Sequence, residues 1–206
     1  MQQSKDVFLI MGSTRMGRNC PAITSWVAEI GKGCTDLSYE IIDLCNWHLP
    51  MDDEDGLPAL RTPYRREHTR AWSGKVASAA AVVFVTPQYN WGYPAVLKNS
   101  LDHLYHEWRD KPTAIVTYGG HGGTRCAKQL RQVAASLKMS VVSTSPTITL
   151  SDAVIRENAP FIPDREFLQY KPKIQSALRE LADKVHGREH PAKRLLGEAR
   201  RLLSAF

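Results

Sequence analysis

The chain has 206 residues, of which 43% are hydrophobic and 23% charged, a balance typical of one globular α/β domain with a sizeable core. No apolar run reaches the roughly 18 residues of a membrane span, and the first residues lack the length and cleavage site of a secretory signal. The four cysteines are scattered without a CxxC pair, so we expect a reduced, cytoplasmic protein rather than a disulfide scaffold or a zinc site.

The formal charge of +6 is concentrated near the C-terminus. From Lys171 onward there are nine Lys or Arg and four Asp or Glu, which places +5 of the total in this segment. We interpret it as a solvated helix face, because no nucleic-acid motif accompanies the charge. Binding of this segment to RNA or to an anionic membrane surface is the alternative.

Short apolar segments alternate with helical patterns along the chain. Most of the strand-length segments are apolar throughout, which is typical of strands covered on both faces. The predicted strands are 7–12, 38–44, 80–86, 113–119 and 139–143. The predicted helices are 21–30, 64–79, 95–108, 124–137 and a last one from about Asp164 to Val185.

This alternation predicts an α/β fold: a doubly wound, five-stranded parallel sheet with helices on both faces and a C-terminal helical extension. We assign residues 1–186 to the domain and 187–206 to a short, basic, amphipathic extension. Ligands of such sheets bind beyond the carboxyl ends of the strands, where three loops have unusual compositions.

The first loop, GSTRMGRN at 12–19, offers hydroxyls, two arginines and main-chain N–H groups at the start of a helix. Helix N-termini and guanidinium groups both favour phosphate. The loop lacks the Walker pattern, the dinucleotide GxGxxG and the Cys-x5-Arg of a cysteine phosphatase. A helix-capping turn with two surface arginines is the structural alternative.

The second loop, TPQYNWGYP at 86–94, is stiffened by a proline near each end. Its three aromatic side chains offer flat apolar surfaces, and Gln88 and Asn90 both donate and accept hydrogen bonds. This composition suits a flat heteroaromatic ring with polar edges. A structural turn whose aromatics cap the core is the alternative.

The third loop, YGGHGGTR at 118–125, places four glycines around one histidine. Its bare N–H groups can approach a ligand closely at the start of the next helix. A flexible turn is the alternative. Together the three loops favour a phosphorylated planar cofactor across the sheet edge, and flavin mononucleotide (FMN) is the natural candidate.

The sequence resembles the NADPH-dependent FMN reductase family of the flavodoxin-like fold, particularly its NAD(P)H:quinone and azo reductases. The matching stretches are GSTRMGR, TPQYNWGYPAVLKNSLDHLYHEW and KPTAIVTYGGHGGTRCAKQL, in the family's order across roughly residues 7–145. The family more often has Glu at the position of Gln88. The resemblance implies FMN-binding residues Ser13, Thr14, Arg15, Gly17, Arg18, Pro87, Gln88, Tyr89, Asn90, Trp91, Gly92, Tyr118, Gly119, Gly120 and His121.

The activity that the resemblance implies is hydride transfer from NADPH or NADH through flavin N5 to a quinone, azo compound, free flavin or metal ion, in a ping-pong mechanism. No side chain need act as a nucleophile, and His121 and Tyr118 are the candidate proton donors to a quinone. The resemblance also implies a homodimer or homotetramer. The aromatic helix LKNSLDHLYHEW supports an interface, since such patches favour interfaces.

Two other classes of function stay open at this point. One is a flavodoxin-like electron carrier or redox-sensing module without enzymatic activity. The other is a metalloenzyme that uses His103, His106 and Glu107, because the two histidines share a helix face as ligands do. A surface or interface helix explains these three residues better, so we predict no metal site.

Overall fold

A parallel sheet of six strand segments forms the centre of the computed structural model, which describes residues 6–51, 54–157 and 159–188. The strands run β2-β1-β3-β4 across the sheet, and both β5 and β6 pair with β4. Every pairing is parallel. The strands are β1 (Asp6–Met11), β2 (Ser38–Asp43), β3 (Ala81–Pro87), β4 (Pro112–Gly119), β5 (Ser140–Val141) and β6 (Thr147–Thr149).

Helices cover both faces of the sheet, which confirms the predicted fold class. Helices α1 and α7 pack on one face, and α2, α3 and α4 pack on the other. The helices are α1 (Cys20–Cys34), α2 (Glu67–Ser78), α3 (Ala95–Asp102), α4 (Thr124–Ser136), α5 (Asp152–Arg156), α6 (Pro163–Glu166) and α7 (Lys171–Val185).

The alternation of side chains along the strands divides the core into two layers. Val7 and Leu9 of β1 face α1 and α7, whereas Phe8 and Ile10 face the layer of α2, α3 and α4. All seven residues of β3 are buried. The continuous apolar character of these strands therefore reflects burial on both faces, as the sequence predicts.

The fifth strand differs from the prediction of a single segment at 139–143. Ser140–Val141 pairs with the start of β4, and Thr147–Thr149 pairs with its end, so the edge strand is interrupted between them. At the interruption the carboxylate of Glu180 in α7 accepts hydrogen bonds from the N–H and hydroxyl groups of Ser143 and Thr144. These bonds satisfy the main-chain N–H groups of Ser143 and Thr144, which lie between the two paired segments of the edge strand.

Replacement of Glu180 by glutamine is expected to lower the free energy of unfolding at pH 7 by about 1.5 kcal/mol, because an ionised acceptor of several hydrogen bonds is lost. Burial disfavours ionisation, but the hydrogen bonds from Ser143 and Thr144 outweigh it and lower the pKa of Glu180 below its ordinary value. The ionised carboxylate therefore stabilises the fold above the unfolded-state pKa of about 4.3. This stabilisation is lost as the pH falls through the folded-state pKa.

Urea unfolding of Glu180→Gln and the wild-type protein measures this difference from pH 7 down to about pH 3. The gap should narrow below about pH 4. Glu29→Gln is the matched control, since the Glu29 side chain is 69% exposed. A gap that does not change with pH, or one that the control reproduces, would contradict the assigned role of the Glu180 charge.

The predicted helix 95–108 is too long. Helix α3 ends at Asp102, and residues 106–108 form a separate 3-10 turn. The ring of His103 is held by the hydroxyl of Thr69 and by the carbonyl of Pro50, and the chain leaves the helical region at Tyr105, where φ is −138°. Trp108 is fully buried in the chain's own core. The prediction that Trp108 contributes to an aromatic interface patch is therefore wrong.

The predicted helix from Asp164 onward is divided into two. Helix α6 ends at Glu166, a 3-10 turn covers Leu168–Tyr170, and α7 begins at Lys171. Pro172 explains the new start, because proline fits the first turn of a helix but not its interior. The other three predicted helices agree with α1, α2 and α4 to within four residues at each end.

The C-terminal extension predicted for 187–206 falls almost wholly on residues 189–206, which lie outside the described residues. The division into a domain and an extension therefore stays a prediction. Among the described helices, none has both the length and the apolar character that a membrane span requires.

Candidate functional site

Three loops meet at the carboxyl edge of the sheet. Because β1, β3 and β4 are adjacent and parallel, the first, second and third loops all leave the sheet on the same side. β3 lies between the other two strands. The second loop is therefore flanked by the first loop on one side and by the third loop on the other.

The first loop begins close to β3. The N–H of Gly12 donates to the carbonyl of Val85 at 2.8 Å. A Cβ atom on Gly12 would lie 2.6 Å from the Cβ and Oγ1 atoms of Thr86, so only glycine fits there. The next residue, Ser13, is fully buried, and its hydroxyl lies 2.9 Å from that of Tyr89.

Unused donors are concentrated in this loop. The main-chain N–H groups of Thr14, Met16 and Gly17 donate to no other residue in the described part of the chain. The Arg15 guanidinium lies 4.0 Å from the centroid of the Tyr89 ring. Helix α1 begins just after the loop and has no acidic residue in its first turn. These donors and charges suit a phosphate group.

Arg18 differs from Arg15 in having a carboxylate partner. Its guanidinium forms an ion pair with Asp43 at 2.5 Å and donates to the sulfur of Cys45 at 2.7 Å. Its Nε is buried and has no partner within the described residues. Arg18 therefore ties the first loop to the end of β2, and a direct contact with phosphate stays a prediction. Sequence reasoning missed Asp43, although a carboxylate at a strand's carboxyl end was visible in the sequence.

The second loop contains a tight two-residue turn. Tyr89 and Gly92 exchange main-chain hydrogen bonds of 2.8 and 2.9 Å. Between them Asn90 and Trp91 have φ angles of +47° and +71°, as in a type I′ turn. A tryptophan in the left-handed region is unfavourable, and such strain is concentrated at functional sites. Trp91 is 61% exposed at the carboxyl edge.

Gln88 links the second and third loops. Its N–H donates to the carbonyl of Tyr118 at 2.8 Å, and its side-chain oxygen accepts from the N–H of Cys126 at 3.1 Å. Its side chain thus caps the N-terminus of α4. This capping group is a neutral amide, and the first turn of α4 contains no acidic residue.

The third loop depends on its glycines. Gly122 and Gly123 have φ angles of +71° and +79°. A Cβ atom on Gly123 would lie 2.8 Å from the Thr117 side chain. The carbonyl of Gly119 accepts hydrogen bonds from Gly122 and from Leu150. His121 is exposed between these glycines.

A buried polar group lies among these loops. Tyr118 is 3% exposed, and apart from the Cys20 thiol beside it, its hydroxyl has no hydrogen-bond partner among the described residues. Burial, and then the adjacent Cys20 thiol, raises the pKa of Tyr118 well above its ordinary value, so the hydroxyl keeps its proton. This buried hydroxyl with only a thiol beside it, the unused N–H groups of the first loop and the glycines of the third loop together fit a phosphorylated planar group such as FMN.

Two of the cysteines near the site, Cys20 and Cys126, are buried thiols rather than nucleophiles. Burial raises the pKa of the Cys20 thiol, and it raises the pKa of Cys126 to about 12. Both therefore remain protonated at neutral pH and lack the thiolate that covalent catalysis needs. All four cysteines lie in the described part of the chain, and none forms a disulfide.

The residues of the metalloenzyme alternative have separate partners. His103 contacts Thr69 and Pro50, and His106 contacts the carbonyl of Ala59. The carboxylate of Glu107 accepts from the hydroxyls of Tyr64 and Ser73. Among the described residues there is no group of three or more His, Cys, Asp or Glu placed to hold a metal ion. The structure thus gives this alternative no support.

Known proteins resemble this chain in sequence. A sequence profile described as NADPH-dependent FMN reductase matches residues 6–151. A Schizosaccharomyces pombe protein named NAD(P)H-dependent FMN reductase is 50% identical over 178 residues, which cover 85% of this chain and 88% of the relative. An Arabidopsis thaliana NADPH:quinone oxidoreductase is 38% identical over 137 residues, covering 62% of this chain and 68% of the relative.

Solved structures agree in fold. The flavoenzyme FerB, an NAD(P)H:(acceptor) oxidoreductase from Paracoccus denitrificans, has a TM-score of 0.65 at 17% identity and covers 89% of this chain and 98% of its own. Megasphaera elsdenii flavodoxin has a TM-score of 0.52 at 12% identity, covering 84% of this chain and 97% of its own. The fold is therefore flavodoxin-like. With a family profile that spans β1 to Ser151 and a relative identical at half of the aligned positions, the chain belongs to the NADPH-dependent FMN reductase family.

Proposed function

We propose that this enzyme takes electrons from NAD(P)H through FMN and passes them to quinones or similar acceptors in a ping-pong mechanism. Membership of the family makes the chain an oxidoreductase with FMN as cofactor and NAD(P)H as reductant. The observation that carries the proposal is the set of unused donors in the first loop, beside the strained turn of the second loop. The named activity of the Arabidopsis relative supports a quinone as acceptor.

The first loop would hold the phosphate of FMN. Ser13, Arg15 and the free N–H groups of Thr14 and Gly17 supply neutral and charged donors to the phosphate oxygens. Arg18 would act mainly through Asp43, by fixing the position of the loop against β2. The second and third loops would flank the ring with residues Pro87, Gln88, Tyr89, Asn90, Trp91, Gly92, Tyr118, Gly119, Gly120 and His121.

FMN, when bound, supplies the hydride and electron-transfer chemistry, and the protein supplies binding, orientation and electrostatics. The Tyr118 hydroxyl keeps its proton and can donate a hydrogen bond from its buried position. His121 lies exposed at the tip of the third loop, where it is the candidate donor of a proton to an acceptor in solvent contact. No thiolate is available for covalent catalysis at Cys20 or Cys126.

Double-reciprocal plots for NADPH and a quinone are expected to give parallel lines. The reason is that the three loops meet at one edge of the sheet, where NADPH and the acceptor would have to reach the flavin in turn. Initial rates measured over a grid of both substrates test this expectation. Intersecting lines would show that both substrates bind together and would contradict the shared site.

Stopped-flow measurement separates the enzyme from the electron-carrier alternative. The family assignment favours rapid bleaching of the flavin absorbance when NADPH is mixed with the holoprotein. A carrier, which receives electrons from another protein, would not bleach under the same conditions. A homodimer or homotetramer and a cytoplasmic location stay predictions from the resemblance and from the cysteine pattern.

A further inference from the structure

Two arginine side chains lie against aromatic rings of the second loop, one on each side. The guanidinium carbon of Arg15 lies 4.0 Å from the centroid of Tyr89, and that of Arg125 lies 3.4 Å from the centroid of Trp91. Arg15 follows β1 and Arg125 follows β4, and these strands are the two neighbours of β3. The second loop therefore has a stacked cation on each flank.

Arg125 has no acidic partner in the described part of the chain. Arg65 and Arg156 contrast with it, since each pairs with a nearby aspartate. Stacking on an aromatic ring engages the face of a guanidinium and leaves its in-plane N–H groups available. Arg125 is thus held in place while its donors stay open to an anion, to which a guanidinium can bind in a bidentate manner.

The position of Arg125 adds a second positive contribution. It is the second residue of α4, whose N-terminus carries a partial positive charge. The first turn of α4 contains no acidic residue, and the group that caps Cys126 is the neutral amide of Gln88. Neither the first turn of α4 nor its capping group therefore brings a negative charge to the positive end of the helix.

We propose that Arg125, positioned by Trp91, binds a phosphate group of NAD(P)H and so determines the affinity for the dinucleotide. This inference rests on the proposed function. The phosphate of FMN is assigned to the first loop, on the opposite flank, and quinone acceptors carry no phosphate. With a quinone as the acceptor, the dinucleotide is therefore the remaining phosphorylated ligand that the reaction brings to the β4 side of the second loop.

Steady-state kinetics of the Arg125→Gln holoenzyme test the proposal. KM for the dinucleotide should rise about tenfold, which corresponds to the loss of a charge-assisted hydrogen bond, whereas kcat and the bound FMN absorbance should not change. A rise with NADPH alone would assign the 2′-phosphate, and a rise with both NADPH and NADH would assign the pyrophosphate. Arg125→Lys should restore part of the affinity, since it keeps the charge but not the fork.

Lys128→Gln is the matched control, because Lys128 is an exposed cation one turn further along α4. Unchanged KM values in Arg125→Gln, or an equal rise in the control, would overturn the proposal. Calorimetric titration of the holoproteins with NADP⁺ gives a readout that does not depend on turnover. If the wild-type protein bound NADP⁺ but NADPH did not reduce its flavin, the proposed function would fail, while weaker NADP⁺ binding by Arg125→Gln would still support the role of Arg125.

Discussion

Replacement of Arg15 by alanine is expected to weaken FMN binding by about 1.5–3 kcal/mol, or roughly 10- to 150-fold in the dissociation constant. Arg15 lies against the Tyr89 ring and has no carboxylate partner among the described residues, so its donors are available for phosphate. Fluorescence titration of the apoprotein with FMN measures the change. Arg15→Lys should recover part of the loss, because a lysine keeps the charge without the forked donors.

Arg109→Ala provides the control for net charge. Arg109 is exposed and lies just before β4, at the opposite edge of the sheet from the site. Its replacement removes one positive charge without touching the first loop, and FMN affinity should be unchanged. Equal losses in Arg15→Ala and Arg109→Ala would point to a general electrostatic effect and would contradict a phosphate contact from Arg15.

Gly12→Ala is expected to lower the free energy of unfolding by about 1–3 kcal/mol and to weaken FMN binding as well. The added methyl group would lie 2.6 Å from the Thr86 side chain and 3.0 Å from Leu97. Thr86 is fully buried in β3 and cannot move aside without disturbing the core. Either the first loop must shift away from β3 or the core must expand, and both changes move the phosphate donors.

Gly74→Ala is the matched control for this prediction. A Cβ atom on Gly74 of α2 meets no atom within 4 Å. Alanine is favoured over glycine in a helix by about 0.5–1 kcal/mol, so this variant should be slightly more stable than the wild-type protein. Urea unfolding should therefore give shifts of opposite sign for the two variants. A Gly12→Ala protein with wild-type stability and FMN affinity would contradict the close packing of the first loop against β3.

The sequence was sufficient to predict the elements whose stability depends on local patterns. β1, β3 and β4 are mostly apolar because both of their faces are buried along most of their length, and this property is visible in the residues themselves. The loops rich in glycine or proline that follow these strands are also visible in the sequence, and they mark the carboxyl edge of the sheet. The three loops could therefore be placed together before their contacts were known.

Contacts between distant residues explain the errors in the fold prediction. The interruption of the edge strand depends on Glu180, which lies 37 residues beyond Ser143 in sequence. At the end of α3 the His103 side chain is held by Thr69 and Pro50, which lie 34 and 53 residues away. No local pattern of apolar residues contains such information.

Contacts between residues that are distant in sequence also limit the prediction of the site. Arg15 and Arg18 look equivalent in the sequence, but only Arg18 meets Asp43, a contact across 25 residues. The Gln88 side chain turns to the N-terminus of α4, a position that depends on Cys126. The stack of Arg125 on Trp91 was also missed, because it joins two loops that sequence reasoning treated separately.

Anaerobic titration of the purified protein with NADPH, followed by its visible absorbance, tests the central claim most directly. The donors of the first loop and the turn of the second loop are expected to retain FMN, so the protein should be yellow or become yellow on incubation with FMN. One equivalent of NADPH per flavin should then bleach this absorbance, and a quinone should restore it. A protein that stays colourless after incubation with FMN, or a bound flavin that NADPH cannot bleach, would contradict the account.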